Sequence, residues 1–111
     1  MAVDRQQRGD VTVLALDGSI DSSTATEIQE DLRELMPEGG AVVLDMSRVS
    51  YMSSAGLRVL LLVYRDSRDS GLHVALACLS PDVRDVMAAT GFLDFFSVFE
   101  AAEEAMRELT S

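Results

Sequence analysis

Short apolar runs alternate with amphipathic stretches along this chain, and the alternation predicts its secondary structure. Runs of strand type lie at residues 11–16, 41–46, 72–79 and 95–99. A weaker strand over residues 1–8 is expected to pair with the first of these through a turn at Gly9-Asp10. The run at 41–46 is almost continuously hydrophobic, which is typical of a strand covered on both faces. This strand is therefore expected at the centre of the sheet.

Apolar residues at helical spacing separate the strands. Thr24 and Glu27 have the spacing of a capping box and predict the start of the first helix. The second helix is predicted over residues 57–68 and is apolar around most of its circumference. A helix of that kind has more apolar surface than one face of a sheet can cover, so part of it is expected to meet a partner.

The third helix has a strong predicted start. Ser80 can cap it, Pro81 suits its first position, and Asp82 places an acid in its first turn. Its inward side is expected to carry Val83, Val86 and Met87. A fourth helix is predicted over residues 100–109, after the short aromatic strand at 95–99.

The alternation of strands and helices predicts an α/β fold. We expect a mostly parallel central sheet of four or five strands with about four helices and right-handed crossovers. The length of 111 residues fits a single domain over 1–111, and a 48% hydrophobic content is enough to form a core without disulfides or metal.

Charge and composition narrow the possible partners and the location. The formal net charge of -10 argues against nucleic acid and anionic membranes, because both favour Lys and Arg. Cys78 is the single cysteine, which excludes an intrachain disulfide and suits a reducing compartment. Residues 1–10 are polar, so no signal peptide is predicted, and no apolar run reaches the roughly 18 residues of a membrane span. We expect a cytoplasmic protein without membrane insertion.

The most informative chemistry lies after the strand at 41–46, where Ser53 and Ser54 precede the second helix. A strand that leads through a serine turn into a helix places hydroxyls beside unpaired backbone N–H groups, and such a place favours an anion. Serine is also a common N-cap, because its oxygen accepts one of those N–H groups. The pattern alone favours capping and leaves a phosphate-acceptor role open.

Catalytic patterns are missing from the sequence. A serine hydrolase would need His73, the single histidine, beside Ser54, and there is no G-x-S-x-G turn. No phosphate-binding loop with lysine occurs, and no group of cysteines and histidines could hold zinc. We therefore predict a binding protein and not an enzyme, with no cofactor and no metal site.

The residues that surround these serines resemble a known signature. Residues 44–57, LDMSRVSYMSSAGL, are similar to the central motif of the STAS-domain anti-sigma factor antagonists. Residues 16–21, LDGSID, resemble the first turn of that family, and SPDV at 80–83 with TGF at 90–92 resembles its third helix and exit. The resemblance covers nearly the whole chain and implies a STAS-like fold.

The resemblance also implies a function. Members of this family bind a serine kinase that acts as an anti-sigma factor, and phosphorylation of one serine at the start of the second helix releases that kinase until a phosphatase resets the switch. The resemblance places the acceptor at Ser54. Many members carry Asp immediately before the acceptor, where this chain has Ser53, so Ser53 is the alternative acceptor. A STAS subunit of another assembly, such as a lipid-transport complex without phosphorylation, is the alternative function.

The expected partner surface combines the loop at residues 47–54 with the outer face of the second helix. Gly56 is expected to permit close packing of the backbone near this loop. The predicted partner-binding residues are Asp21, Ser53, Ser54, Gly56, Arg58, Val59, Leu62 and Val63.

Overall fold

The computed structural model describes residues 2–110, so Met1 and Ser111, the ends of the predicted domain, lie outside the described residues. The strands in this range are β1 (Ala2–Arg8), β2 (Val11–Asp17), β3 (Ala41–Arg48), β4 (His73–Ala77) and β5 (Ser97–Phe99). The helices are α1 (Ala25–Leu35), α2 (Ser54–Ser70), α3 (Pro81–Thr90) and α4 (Ala102–Thr110), with a short 3-10 helix at Phe92–Phe95. The predicted α/β fold, with its strands and helices in this order, is confirmed.

The strands form one sheet in the order β1-β2-β3-β4-β5. β1 and β2 are an antiparallel hairpin whose turn uses Gly9 at a φ of 61°. Every other pair is parallel, and β3 lies between β2 and β4, with Val42 opposite Thr12 on one side and Val74 on the other. The predicted mostly parallel sheet and the central place of β3 are both confirmed.

Both faces of the sheet are covered, which explains the continuous hydrophobicity of β3. On one face Leu14, Leu44 and Leu76 pack in a core that includes residues of α1, α2 and α3. On the other face Val11 and Val43 belong to a smaller core with residues of α4. None of the helices in the described part of the chain combines the length and apolarity that crossing a membrane requires.

Helix α2 begins at Ser54, three positions earlier than predicted, and it packs against both the sheet and α1. Its buried residues include Leu57 and Leu60, and also Val59 and Val63, whose relative exposures are 2% and 6%. The prediction that Val59 and Val63 lie on the outer face is therefore wrong. Because α2 contacts both the sheet and α1, a wider part of its circumference is buried. Arg58, which is exposed, and Leu62, which is half-buried, remain on the outer face.

The predicted capping box at the start of α1 is also wrong, since Thr24 occupies the cap position without a side-chain capping bond. The Thr24 hydroxyl instead donates to the Ser19 carbonyl at 2.9 Å and accepts from the Asp21 N–H at 3.1 Å. The Thr24 side chain thus closes the loop before α1 instead of capping the helix. The helix begins from the turn in which the Asp21 carbonyl accepts the Ala25 N–H.

Two predictions in the last third of the chain also differ from the structure. Val86 is 37% exposed, although Val83 and Met87 of the same helix are buried as predicted. Phe95 lies in the 3-10 helix and not in β5, and its ring stacks on the Tyr64 ring with 5.4 Å between centroids. This stacking on α2 is a tertiary contact, which the local aromatic pattern could not reveal.

Candidate functional site

Two loops meet at the carboxyl ends of β2 and β3, and backbone hydrogen bonds join them. The Gly18 N–H donates to the Arg48 carbonyl at 3.1 Å, and the Ile20 N–H donates to the Tyr51 carbonyl at 2.9 Å. The Ser53 N–H donates in turn to the Ile20 carbonyl at 2.9 Å. The loop that holds Ser53 is therefore fixed to the loop after β2 before the chain enters α2.

Close packing beneath the loops fixes the first turn of α2. Ile20 and Met52 are both buried and form a parallel bridge. A Cβ atom placed on Gly56 would collide with Met52 Cγ, and it would lie 2.8 Å from the Ile20 carbonyl oxygen. Because Cβ atoms essentially never lie this close to other atoms, only glycine fits here without movement. The close backbone packing predicted for Gly56 is confirmed.

The two adjacent serines have different surroundings. Ser53 is the N-cap of α2: its backbone is extended, and its Oγ accepts a hydrogen bond from the Ala55 N–H at 3.2 Å. Ser53 is half-buried, whereas Ser54, the first residue of the helix, is exposed. The first turn of α2 contains no acidic residue. The capping role therefore falls to Ser53, and the Ser54 side chain lies on the surface at the positive end of the helix dipole.

Asp21 lies beside this surface, immediately after Ile20. Its Oδ1 accepts hydrogen bonds from the Ser23 hydroxyl at 2.6 Å and from the Ser23 N–H at 2.9 Å. These bonds hold the pKa of the Asp21 carboxyl below its usual range, with the Ser23 hydroxyl as the largest cause. The loop after β2 therefore presents an ionised carboxylate at neutral pH.

An exposed aromatic residue, Tyr51, lies in the loop after β3, close to Ser53, and was not singled out from the sequence. Tyr51 is 55% exposed, while its neighbours Val49 and Met52 are 1% and 4% exposed. A tyrosine can be buried or exposed, so the residue type alone did not predict that Tyr51 is exposed. The signal was the resemblance itself, which placed Tyr51 within the signature and close to the serines.

The outer face of α2 continues the surface away from Ser54. Arg58 and Arg65 are exposed, and Leu61 is half-buried between them. Together with Ser54 these residues follow the spacing i, i+4, i+7 and i+11, which is one stripe of an α-helix. This spacing was the available signal for Leu61 and Arg65, which the sequence prediction missed.

The structure thus brings most of the predicted residues to one end of the sheet. Asp21, Ser53, Ser54 and Gly56 meet where the two loops join, and Arg58 and Leu62 extend the surface along α2.

His73 lies elsewhere, at the start of β4, where its ring nitrogen is 3.3 Å from the Ser97 hydroxyl. Since β3 and β4 are parallel, the start of β4 is at the opposite end of the sheet from the Ser54 loop. Within residues 2–110, no three His, Cys, Asp or Glu side chains are grouped so that they could hold a metal ion.

This chain is similar to known proteins in sequence and in fold. The family model described as the STAS domain matches residues 2–105. BtrV of Bordetella bronchiseptica, named as a candidate anti-sigma factor antagonist, is 38% identical over 94 residues, which are 84% of this chain and 81% of BtrV.

Two solved structures extend the comparison at the level of the fold. A candidate anti-sigma factor antagonist from Thermotoga maritima superposes with a TM-score of 0.89 at 18% identity, over 98% of this chain and 95% of that one. The anti-sigma factor antagonist SpoIIAA in its unphosphorylated form superposes with a TM-score of 0.78 at 20% identity, over 98% and 96%. On the match of the family model and the identity to BtrV, the chain belongs to the STAS domain family.

Proposed function

We propose that this protein is an anti-sigma factor antagonist that acts in the bacterial cytoplasm. It binds a serine-kinase anti-sigma factor, frees a sigma factor for transcription, and is released when the kinase phosphorylates Ser54. A phosphatase then removes the phosphate and restores binding. The observation that carries the proposal is the exposed hydroxyl of Ser54 at the first position of α2, next to a serine that already caps the helix.

The proposed partner surface consists of the joined loops and the outer face of α2. Tyr51 is a suitable anchor, because exposed aromatic side chains contribute strongly when an interface buries them. Arg58 and Arg65 give this face positive charge on a chain whose net charge is -10. A kinase surface with acidic groups opposite α2 would complement these arginines.

Leu61 and Leu62 supply apolar area between these charges. Val59 and Val63 are left out of the surface because they are buried in the core of this domain.

Phosphorylation can switch this surface without unfolding the domain. A phosphoserine carries a charge of about -1.5 to -2 at pH 7. At the start of α2, the dipole and the free N–H groups stabilise such a charge by roughly 0.3–1 kcal/mol. Inside a complex the same group would lose its hydration, at a cost of several kcal/mol unless a matching cation is present. The interface term is larger, so the net result is release of the partner.

The geometry favours Ser54 over Ser53 as the acceptor. The Ser53 oxygen accepts the Ala55 N–H, and a kinase acting on Ser53 would have to remove that cap. This chain has Ser53 where many members of the family have Asp. Serine can serve as the helix cap at this position, because Asp and Ser are both strong N-cap residues. The departure from the family pattern therefore removes a charge from the surface while the start of the helix keeps its cap.

The test uses the complex with a cognate kinase, before and after addition of ATP. We expect wild type to bind and then dissociate, and Ser54→Ala to bind and stay bound. Ser53→Ala is the matched control and should still dissociate. A stable complex that ATP leaves unchanged, with no phosphate on the protein, would contradict the proposed switch and favour a STAS subunit of another assembly.

A further inference from the structure

β1 is a regular strand at one edge of the sheet, and its outer side pairs with no strand of residues 2–110. β1 pairs with β2 in an unbroken antiparallel register, from Ala2 opposite Asp17 to Arg8 opposite Val11. Within residues 2–110 no other strand joins β1, which is the last strand on its side of the sheet. A regular edge of this kind presents backbone N–H and C=O groups that can pair with another strand.

The side chains along this edge determine what could pair with it. Five consecutive residues of β1 are exposed: Asp4, Arg5, Gln6, Gln7 and Arg8. Charged residues on an edge usually discourage pairing between copies, because like charges directly opposite one another are destabilising. Here both signs occur on one strand, so the effect of the charges depends on the register.

Symmetry limits the registers that are available. Two copies of β1 that pair antiparallel are related by a two-fold axis perpendicular to the sheet, as in closed dimers. This axis keeps each face of the sheet on the same side, so every residue lies opposite one that points to its own face. The axis must then pass midway between the two copies of one β1 residue, so that this residue lies opposite its own copy.

The charges select one of these registers. An axis at Asp4 places the two Asp4 carboxylates opposite each other. An axis at Arg5 places the two Arg5 guanidinium groups opposite each other, so both registers pair like charges. An axis at Gln7 forms no pair of opposite charges. An axis at Gln6 places Asp4 opposite Arg8 of the second copy twice, with Arg5 opposite Gln7. Opposite charges at directly facing positions stabilise a strand pair.

We propose that β1 is a dimerisation edge, on which a second copy of this chain adds its own β1 antiparallel in the register centred on Gln6. Existing contacts of the edge permit this. Arg8 approaches Glu103 only at 4.0 Å, and both side chains are largely exposed, so the guanidinium can turn to Asp4 of the second copy. The sheet then continues across both copies.

The dimer leaves the Ser54 surface available. Ser54 follows β3, and β2 separates β3 from β1. The two-fold axis turns the parallel strands of the second copy around, so the two Ser54 loops point in opposite directions. The inference therefore does not depend on the proposed function, and either can fail without the other.

Sedimentation velocity over a protein series from micromolar to millimolar tests the proposal, at an ionic strength of about 0.15 M to screen the net charge. We expect reversible dimerisation of wild type. Asp4→Arg and Arg8→Asp each place like charges opposite each other twice and should weaken dimerisation roughly tenfold or more. The double variant Asp4→Arg/Arg8→Asp restores opposite pairs and should dimerise like wild type.

Glu30→Arg is the matched control for Asp4→Arg, because Glu30 is exposed on α1 and the change in charge is the same. It should dimerise at least as well as wild type, and circular dichroism should show that every variant is folded. A wild type that stays monomeric at millimolar concentration would overturn the proposal. Single variants that dimerise as tightly as wild type, or a double variant that does not recover, would overturn it equally.

Discussion

Helices α2 and α3 begin in similar ways, and the differences between their first turns are instructive. Each follows a parallel strand of the sheet, and each has a serine cap: Ser53 Oγ accepts from the Ala55 N–H and Ser80 Oγ from the Val83 N–H, both at 3.2 Å. In α3 the first turn already contains an acid, Asp82. In α2 it contains none, and the exposed Ser54 occupies the first position.

Both helix starts favour negative charge, because the dipole points the same way in each and each has backbone N–H groups without an intrahelical partner. They differ at the first position, where Pro81 of α3 has no N–H and Ser54 of α2 has one. The start of α3 holds that charge permanently in Asp82. The start of α2 has a hydroxyl instead, to which a kinase could add charge and from which a phosphatase could remove it. Under the proposed function, α3 therefore has a structural start and α2 a regulated one.

The largest expected difference between the two starts is in partner binding. Ser54→Asp places a fixed charge within the proposed interface and should weaken binding of the kinase by about a hundredfold, which corresponds to roughly 2.7 kcal/mol. Asp82→Asn alters the charge of the α3 start, outside that interface, and should change binding less than about twofold. Isothermal titration calorimetry measures both. Equal losses for the two variants would remove the distinction between the helix starts.

The next effect is on stability, since α2 also differs from α3 in how tightly its first turn packs. Gly56→Ala forces a methyl group against the Ile20 carbonyl and should lower the free energy of unfolding by about 1–3 kcal/mol. Gly39→Ala is the control, because no atom lies within 4 Å of its new Cβ. Urea denaturation of both variants gives the comparison. A Gly56→Ala protein as stable as wild type would show that the α2 start can move.

The smallest effect concerns the two caps. Ser53→Ala and Ser80→Ala each remove one hydrogen bond to a helix N–H and should each lower the free energy of unfolding by about 1 kcal/mol. Ser54→Ala should change it by less than about 0.5 kcal/mol, because Ser54 is exposed and does not occupy the cap position. Thermal unfolding of the three variants is sufficient. A larger loss for Ser54→Ala than for Ser53→Ala would reverse the roles assigned to the two serines.

The order of elements could be predicted from the sequence because each carries a local signal. The turn at Gly9-Asp10 marked the β1–β2 hairpin, and the continuous apolar run of β3 marked a strand covered on both faces. Ser80 and Pro81 marked the start of α3 at the position that the structure shows. These signals depend on backbone preferences and on burial, and a short stretch of sequence is enough to reveal both.

The remaining errors concern which side of an element faces inward. α2 is apolar around most of its circumference, so its periodicity could not show that Val59 and Val63 are buried while Leu61 is only partly covered. Contact with α1 decided that, and it is a tertiary property.

The consequence for mutagenesis is direct. A substitution of Val59 with Asp would bury a charge in the core and test stability instead of partner binding.

The candidate site was predicted in part. The resemblance pointed to Ser54, and the residue pattern alone could not separate capping from a phosphate-acceptor role. The structure assigns the capping role to Ser53, whose oxygen accepts the Ala55 N–H, and shows that Ser54 is exposed. The phosphate-acceptor role of Ser54 stays a proposal. Tyr51 was missed as an individual residue because exposure in a loop follows no period.

The central claim is that Ser54 is the residue that a cognate kinase modifies, and peptide mapping by mass spectrometry tests it most directly. Wild type, Ser53→Ala and Ser54→Ala are each treated with the kinase and ATP. We expect one phosphate on Ser54 in wild type and in Ser53→Ala, and none in Ser54→Ala. A phosphate found only on Ser53, or no phosphate in wild type with a kinase that binds it, would contradict the account.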